Sequence, residues 1–301
     1  MSNYLPPALC CALAIVTSHF SIAATLEKQA PIRGGGSVNI NNGIIGDGAW
    51  NVTVLQGGNT DDGTLDPLGP IAASDLIFDF ITYFDVGANG GGVALDDSTA
   101  TQPVLGLDNT VNSTGQFTGN NAEIFWSAAA RIAPGTQSYQ VTLNFTSIQA
   151  FGVVRLINYL DEDVLGPADD SLILLNSVAS PNFQLLTIDN TDSVGIAHSA
   201  GYTNATNASY IGWAASRFPN LRDAIQSAAG AQFSIAGVVN TVDFPSTVDP
   251  RFPFSTAYGP SDATAAFAFD LNPNASSATI TFALGSQPNV QNDAIFRNGF
   301  E

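Results

Sequence analysis

The chain consists almost throughout of short β-prone runs that alternate with turn-forming clusters. Residues 49–55 (AWNVTVL) and 76–86 (LIFDFITYFDV) are rich in β-branched and aromatic side chains, which suit the pleated, half-buried surface of a strand. Clusters such as 59–66 (NTDDGTLD) separate these runs and are typical of turns and surface loops. Many short strands without alternating long helices predict an all-β fold, a single large antiparallel β-sandwich.

Two segments have the pattern of a β-hairpin. Residues 123–147 contain two β-prone arms joined by a turn with Pro134, and residues 265–284 repeat this order with Pro273 in the turn. The shared proline turn leaves two explanations open, an internal duplication or convergence on a common turn.

One helix is predicted near residues 219–229. Pro219 stands at its start, Leu221 and Ile225 lie four residues apart, and Gly230 follows its end. Proline at the first turn and glycine just past the last are the usual boundaries of a helix.

The amino terminus is predicted to be a signal peptide over residues 1–23. An apolar run over residues 5–24 ends in Ser21-Ile22-Ala23, which fits the small-x-small rule of leader-peptidase sites. A single membrane anchor is the alternative, although Pro6 and Pro7 interrupt the run. We expect a flexible segment at 24–36, a β-sandwich domain at 37–286 and a tail at 287–301, with no membrane span in the mature chain.

Composition excludes several classes of function. Eight Lys and Arg against 26 Asp and Glu give a net charge of −18, which repels nucleic acid. After loss of the leader the chain has no cysteine, one histidine (His198) and one lysine (Lys28). These counts exclude a cysteine nucleophile, a Cys-ligated zinc, an iron–sulfur cluster and an H-E-x-x-H zinc helix.

Acidic residues crowd into loops, where a hard divalent cation with six to eight oxygen ligands would relieve their repulsion. Calcium candidates therefore occur in two groups. The first group is Asp47, Asp61, Asp62, Asp66, Asp96 and Asp97, and the second is Asp161, Asp163, Asp169 and Asp170. The alternative for both groups is a solvated acidic surface that favours solubility.

The second acidic group also carries a catalytic hypothesis. Two carboxyl groups among Asp161, Asp163, Asp169 and Asp170 could form the acid and base of a glycoside hydrolase. A polysaccharide lyase would instead use Arg155, Tyr159 and His198. For Arg155 and His198 the alternatives are an ion pair and a histidine hydrogen-bonded to backbone.

The last nine residues, DAIFRNGFE at 293–301, carry one resemblance. They resemble the IF-x-x-GFE tail that closes many exported proteins of gammaproteobacteria of the Xanthomonas and Lysobacter type. The resemblance implies export from a Gram-negative cell, to the medium or the outer surface, and implies nothing about activity.

These observations favour a secreted or cell-surface, non-enzymatic β-sandwich that serves as a structural or binding module and that calcium would stabilise. The expected partner is a carbohydrate or a cell-surface component. The alternative is a carbohydrate-active enzyme, either a glycoside hydrolase or a polysaccharide lyase.

Overall fold

A computed structural model describes residues 36–66, 74–85, 91–119, 122–166, 169–174, 184–189, 197–242, 244, 246–248 and 256–287. The predicted signal peptide, residues 24–35 and residues 288–301 of the predicted tail lie outside these ranges.

The described residues form 21 strands and one α-helix, numbered here in chain order. The strands are β1 Val38–Asn41, β2 Trp50–Val54, β3 Thr60–Leu65, β4 Ser74–Ile77, β5 Asp79–Asp85, β6 Val93–Ala94, β7 Thr99–Ala100, β8 Val104–Leu105, β9 Thr110–Gly119, β10 Ala122–Ile132, β11 Ser138–Ser147, β12 Arg155–Asp161, β13 Asp170–Leu174, β14 Gln184–Asp189, β15 Ala197–Thr206, β16 Ala208–Arg217, β17 Val238–Val239, β18 Ser246–Val248, β19 Thr256–Ser261, β20 Ala263–Leu271 and β21 Ser277–Gln287. The helix is α1, Asn220–Gln226, and two 3₁₀ turns cover Gln56–Gly58 and Leu95–Asp97.

The strands make two sheets that pack face to face, so the predicted all-β sandwich is confirmed. Sheet A has the order β1-β2-β3-β5-β12-β20-β16-β17, with β4 beside β3 and β6 beside β5. Sheet B has the order β18-β19-β13-β14-β15-β21-β11-β10-β9-β7, with β8 beside β9. Strands β16 and β17 pair in parallel, and the other pairings between the described strands are antiparallel.

The core lies between the sheets and follows the period of two residues that a strand imposes. On β11, Tyr139 and Phe145 are fully buried, whereas the neighbouring Gln140 and Asn144 point away from the core and are half-buried. Trp126 and Trp213 are also buried. Each such large apolar side chain contributes about 1.5–3 kcal/mol on burial.

Sheet A is covered on its outer side as well. Helix α1 lies where the sequence predicts it, and its Leu221 and Ile225 are buried in a second apolar cluster with Ile157 and Tyr159 of β12. Because the strand is covered on both faces, every residue of β12 except the first is buried.

A loop after α1 also packs closely on sheet A. Gly237 has a φ of +79°, and a Cβ placed there would overlap the indole ring of Trp213. Only glycine satisfies both the positive φ and the close approach.

The first predicted hairpin is confirmed and the second is wrong. Strands β10 and β11 pair across the turn at 133–137, from Ile132 opposite Tyr139 to Ile124 opposite Ser147. Strand β20, in contrast, pairs with β12 and β16 in sheet A, while β21 pairs with β11 and β15 in sheet B. The turn with Pro273 therefore carries the chain from one sheet to the other, and the two segments are not repeats of one motif.

Among the described residues, no helix has the length and apolar composition that crossing a membrane requires.

Candidate acidic site

Two connections that cross between the sheets bring acidic residues together. The first leaves sheet A at Asp161, the last residue of β12, and runs through Asp163 to β13 in sheet B. The second leaves β19 in sheet B and enters β20 in sheet A through Asp262. One carboxylate oxygen from each of Asp161, Asp163 and Asp262 lies within 4.8 Å of the others. We call these three residues the acidic triad.

The triad runs from the interior toward solvent. Asp161 is 0% exposed and Asp163 is 7% exposed, whereas Asp262 is half-buried. Asp161 also lies opposite Asp79 of β5 and accepts a hydrogen bond of 3.3 Å from the Tyr159 hydroxyl. Buried like charges in such proximity cost free energy unless protons or cations neutralise them.

Asp170 lies beside the triad at the start of β13. It is 0% exposed, and neither of its carboxylate oxygens has a hydrogen-bond partner. Burial raises the pKa of Asp170 to about 10, with further contributions from the charges of Asp163, Asp189, Glu162 and Asp262. Most buried polar groups are satisfied, so an unpaired buried carboxyl group requires an explanation.

A pair of carboxyl groups lies near Asp163 of the triad. Asp62 of β3 and Asp75 of β4 are both half-buried and share a hydrogen bond. Burial raises the pKa of Asp75 to about 8, and the charge of Asp62, the shared hydrogen bond and the charge of Asp163 act in the same direction. The Gly63 N–H donates to Asp75 Oδ1 at 3.3 Å, which opposes this rise. We call Asp62 and Asp75 the carboxyl dyad.

His198 has a partner that the sequence did not suggest. The side chain is 0% exposed, and its Nδ1 contacts a carboxylate oxygen of Glu162 rather than a backbone group. Glu162 also accepts a hydrogen bond from the Thr187 hydroxyl. The His198 ring packs near Trp50, with 5.9 Å between the ring centroids. His198 thus ties β15 to the crossing that follows β12.

Of the predicted site residues, the structure brings Asp161, Asp163 and Asp170 together, and it adds Asp62 through the dyad. Asp169 is half-buried and precedes Asp170, outside the triad. The remaining calcium candidates of the amino-terminal half, Asp47, Asp61, Asp66, Asp96 and Asp97, are likewise outside the triad.

Arg155 does not reach the site. It begins β12 and Asp161 ends it, which places them about 20 Å apart along the strand. Arg155 instead pairs with Asp270 at 2.8 Å on a partly exposed surface. Arg155 and His198 are therefore separated, and the set predicted for a lyase is not assembled among the described residues.

Sequence reasoning missed Asp75, Asp79, Asp189 and Asp262. Each is close to its partners only through strand pairing or through the second crossing, which are long-range features. One signal was available, because Asp79, Asp161, Asp170 and Asp189 each occupy the first or last position of a strand.

The acidic triad could hold a metal ion. Its donor atoms are all carboxylate oxygens. Hard oxygen ligands of this kind suit Ca²⁺ and Mg²⁺ better than they suit softer metals. The unpaired oxygens of the neighbouring Asp170 fit a site that is electrostatically incomplete without a cation.

No family model and no curated protein match the sequence. Matches do occur among solved structures. A bacterial glucoamylase complexed with acarbose is 12% identical, with a TM-score of 0.46, over 91% of this chain and 35% of its own. An aldose epimerase homologue from C. elegans is 9% identical, with a TM-score of 0.44, over 85% of this chain and 99% of its own. A galactose mutarotase-like protein from Clostridium acetobutylicum is 9% identical, with a TM-score of 0.36, over 83% of this chain and 95% of its own. The chain thus spans about a third of the length of the glucoamylase.

The leading sequence prediction, a non-enzymatic structural or binding module, is corrected by these findings. The matched proteins are named as a glucoamylase, an epimerase homologue and a mutarotase-like protein. The site also contains buried carboxyl groups that raise one another's pKa, which the prediction did not include. The prediction was wrong because it was based on the scarcity of Cys, His and Lys as reactive residue types. Carboxyl groups alone can move protons and hold hard cations.

Proposed function

We propose that this protein is a carbohydrate-active enzyme that acts through the carboxyl dyad, with a calcium ion held at the acidic triad beside it. The observation that carries the proposal is the hydrogen-bonded, half-buried pair of Asp62 and Asp75 next to Asp163. Pairs of carboxyl groups whose surroundings separate their proton affinities are a recurring source of acid and base at one site.

The dyad holds one proton between two carboxyl groups, so it can give a proton and accept one. Asp75 donates its proton to the oxygen of a departing sugar as the carbon–oxygen bond breaks and its electron pair moves to that oxygen. A water molecule then supplies the new oxygen to the sugar carbon and returns a proton to Asp62, which restores the dyad. Both side chains are half-buried, so a sugar hydroxyl or glycosidic oxygen can reach them from solvent.

Asp161, Asp163 and Asp262 are the residues that would hold calcium. Bound there, the ion would supply a Lewis acid for sugar oxygens or water and would neutralise the carboxylates. Asp170 lies beside these residues, and its raised pKa keeps it protonated and uncharged near neutral pH while no cation is bound.

A hydrolase is favoured over a lyase among the two classes that the sequence left open. The lyase hypothesis needs Arg155 near His198, and Arg155 is held by Asp270 at the opposite end of β12. The hydrolase hypothesis needs two carboxyl groups and water, and the usual separation of about 5–9.5 Å means that the hydrogen-bonded dyad would open when a sugar binds.

We also propose that the enzyme acts outside the cell, as residues 1–23 and the tail at 293–301 predict. Amino-terminal sequencing of the exported protein should begin at Ala24 or Thr25. Retention of residues 1–23 would refute this part.

The activity is tested by incubating the purified protein with a panel of neutral and acidic polysaccharides in calcium and measuring released reducing ends. Asp75→Asn should abolish release, because the amide has no acidic proton to give. Asp47→Asn is the matched control, since Asp47 is exposed and belongs to neither the dyad nor the triad. Turnover that survives Asp75→Asn, or no turnover on any polysaccharide, would refute the proposal.

A further inference from the structure

The outer face of sheet B is uncharged over an area that spans five strands. Residues opposite one another on paired strands share a face of the sheet, so strand register defines rows of side chains across it. The central row is Thr114, Ser127, Asn144, Thr279 and Thr206, on β9, β10, β11, β21 and β15. The row on one side is Gln116, Phe125, Thr146 and Ser277, and the row on the other is Asn112, Ala129, Thr142, Thr281 and Asn204. We call these three rows the neutral face.

The neutral face contrasts with the rest of a protein whose net charge is −18. Its side chains are exposed or half-buried, and all carry a hydroxyl or an amide except Phe125 and Ala129. The charged residues of β10 lie one row outside it, with Glu123 at one border and Arg131 at the other. Gln116 donates to Glu123, and Arg131 donates to Gln140 at 3.1 Å, so these two charges already have partners.

A groove occupies part of this face. It has a volume of about 480 Å³ and is lined by Thr114, Gln116, Phe125, Ser127, Asn144 and Thr146 among others. Phe125 is 39% exposed, which is unusual for an aromatic side chain amid hydroxyls and amides. Its ring offers an apolar surface inside a polar groove.

The hydrogen-bonding groups beyond the groove are held in place by one another. Thr279 donates to Asn144 Oδ1 at 2.9 Å, and the hydroxyls of Thr142 and Thr281 are 3.2 Å apart. Strands lie about 4.8 Å apart, so the central row extends for about 19 Å. The result is a preorganised line of donors and acceptors, which lowers the entropic cost of binding.

We propose that the neutral face binds a strand of an uncharged, hydroxyl-rich polysaccharide, with Phe125 stacked on a sugar ring. Hydroxyl and amide groups both donate and accept hydrogen bonds, as sugar hydroxyls do. An anionic polymer would find no cation on this face and would be repelled by the surrounding acidic surface. This inference rests on the proposed function, because the polysaccharide bound at the neutral face would be the class of polymer on which the proposed enzyme acts.

Binding is measured by affinity electrophoresis in gels that contain one polysaccharide each, either a neutral glucan, mannan or xyloglucan, or the anionic alginate or polygalacturonate. The proposal expects retardation in at least one neutral gel and none in the anionic gels. Phe125→Ala should weaken binding about tenfold, as loss of an exposed aromatic anchor does. Ser127→Glu places a carboxylate in the central row and should also weaken binding.

Val242→Ala is the control, because Val242 is an exposed apolar residue on a loop next to sheet A. Thermal unfolding of each variant establishes that it is folded. If Ser127→Glu does not fold, Phe125→Ala alone still tests the proposal. Asp75→Asn should bind normally while losing turnover, so a failure of the enzyme proposal is distinguishable from a failure of this one. Three outcomes would overturn the inference: no binding in any neutral gel, equal binding by Phe125→Ala, or a dimer in sedimentation that Ser127→Glu dissociates.

Discussion

Asp161 and Asp262 lie on neighbouring crossings between the two sheets, and a carboxylate oxygen of each lies within 4.8 Å of the other and of Asp163. The contact joins two segments that are remote in sequence, and it joins them through groups that repel when ionised. A cation that binds the folded chain at this point would stabilise it by linkage.

Calcium should therefore raise the melting temperature. A ligand at 100 times its dissociation constant adds about 2.7 kcal/mol. For a chain of this size, with an unfolding entropy of about 2.1 cal/mol/K per residue, that corresponds to a rise of about 5 °C. The measurement is a thermal melt in calcium against a melt in chelator. Asp163→Asn should lose most of the shift and Asp47→Asn should keep it. Equal shifts for both variants would argue against a site at the triad.

The calcium-free protein should become less stable as the pH rises from about 4 to 8, the range between the unfolded pKa of an aspartate and the folded pKa of Asp75. In this range the folded chain keeps the Asp75 proton while the unfolded chain releases it, so rising pH favours unfolding. Stability from this group is complete below about pH 4 and is lost as the pH passes about 8. Urea unfolding in chelator measures the slope.

Asp75→Asn should reduce the slope by the contribution of one proton, because the amide does not titrate, while Asp170, whose pKa is raised to about 10, keeps its own contribution. Asp97→Asn removes an exposed carboxylate instead and should leave the slope unchanged. A slope that Asp75→Asn does not alter would mean that other groups set the pH dependence.

The contact of His198 with Glu162 should be strongly coupled. Both side chains are at most 1% exposed, so His198→Ala leaves a buried carboxyl group without its partner. Loss of the hydrogen-bond partner of a buried polar group costs about 1–3 kcal/mol, and more where the group is charged. In a double-mutant cycle with Glu162→Gln, measured by urea unfolding, the combined cost should be well below the sum of the two. Additive costs would show that the contact contributes little.

Arg155 should matter little to stability and not at all to activity. Its side chain and that of Asp270 are 35% and 42% exposed, and pairs of this kind contribute about 0–1 kcal/mol. Arg155→Ala should therefore leave turnover unchanged in the reducing-end assay. A large loss of turnover in a folded Arg155→Ala variant would restore the lyase hypothesis.

Two glycines with the same backbone conformation should respond differently to alanine. Gly237 and Gly43 both have a φ of +79°, but a Cβ at Gly237 would meet Trp213, whereas nothing lies within 4 Å at Gly43. Strain at positive φ is common to both and costs about 1–2 kcal/mol. Gly237→Ala should cost about 1–3 kcal/mol more, the usual range for overpacking. An equal decrease in the free energy of unfolding for the two variants would mean that the cost of alanine comes from the positive φ alone.

Local features of the fold were predictable from sequence and sheet assignment was not. The turn at 133–137 and the turn with Pro273 have the same local chemistry, yet the first joins paired strands and the second connects different sheets. Turn residues specify how the chain reverses and carry no information about which sheet the next strand enters. Helix α1 was predictable because its boundaries and its buried pair, Leu221 and Ile225, are local.

The residues of the site likewise divide into those that a local sequence pattern predicts and those that only long-range pairing brings in. Asp161, Asp163 and Asp170 were found because they lie within one short stretch of sequence. Asp262 and Asp75 were not, because they join the site through a crossing and through strand pairing that no local pattern encodes. His198 was predictable as a candidate residue and its partner was not, because Glu162 lies 36 positions away in the sequence.

Strand β21 is the last described strand in the chain, yet it lies in the interior of sheet B between β11 and β15. Until synthesis has passed residue 287, two long strands each lack a neighbour, and exposed strand edges invite pairing with other chains. Folding of this sheet must therefore wait until β21 has been synthesised. A nascent chain that stops before β21 would expose the edges of β11 and β15 and would tend to aggregate. A chaperone that covers strand edges would be most useful before β21 has been added to the sheet.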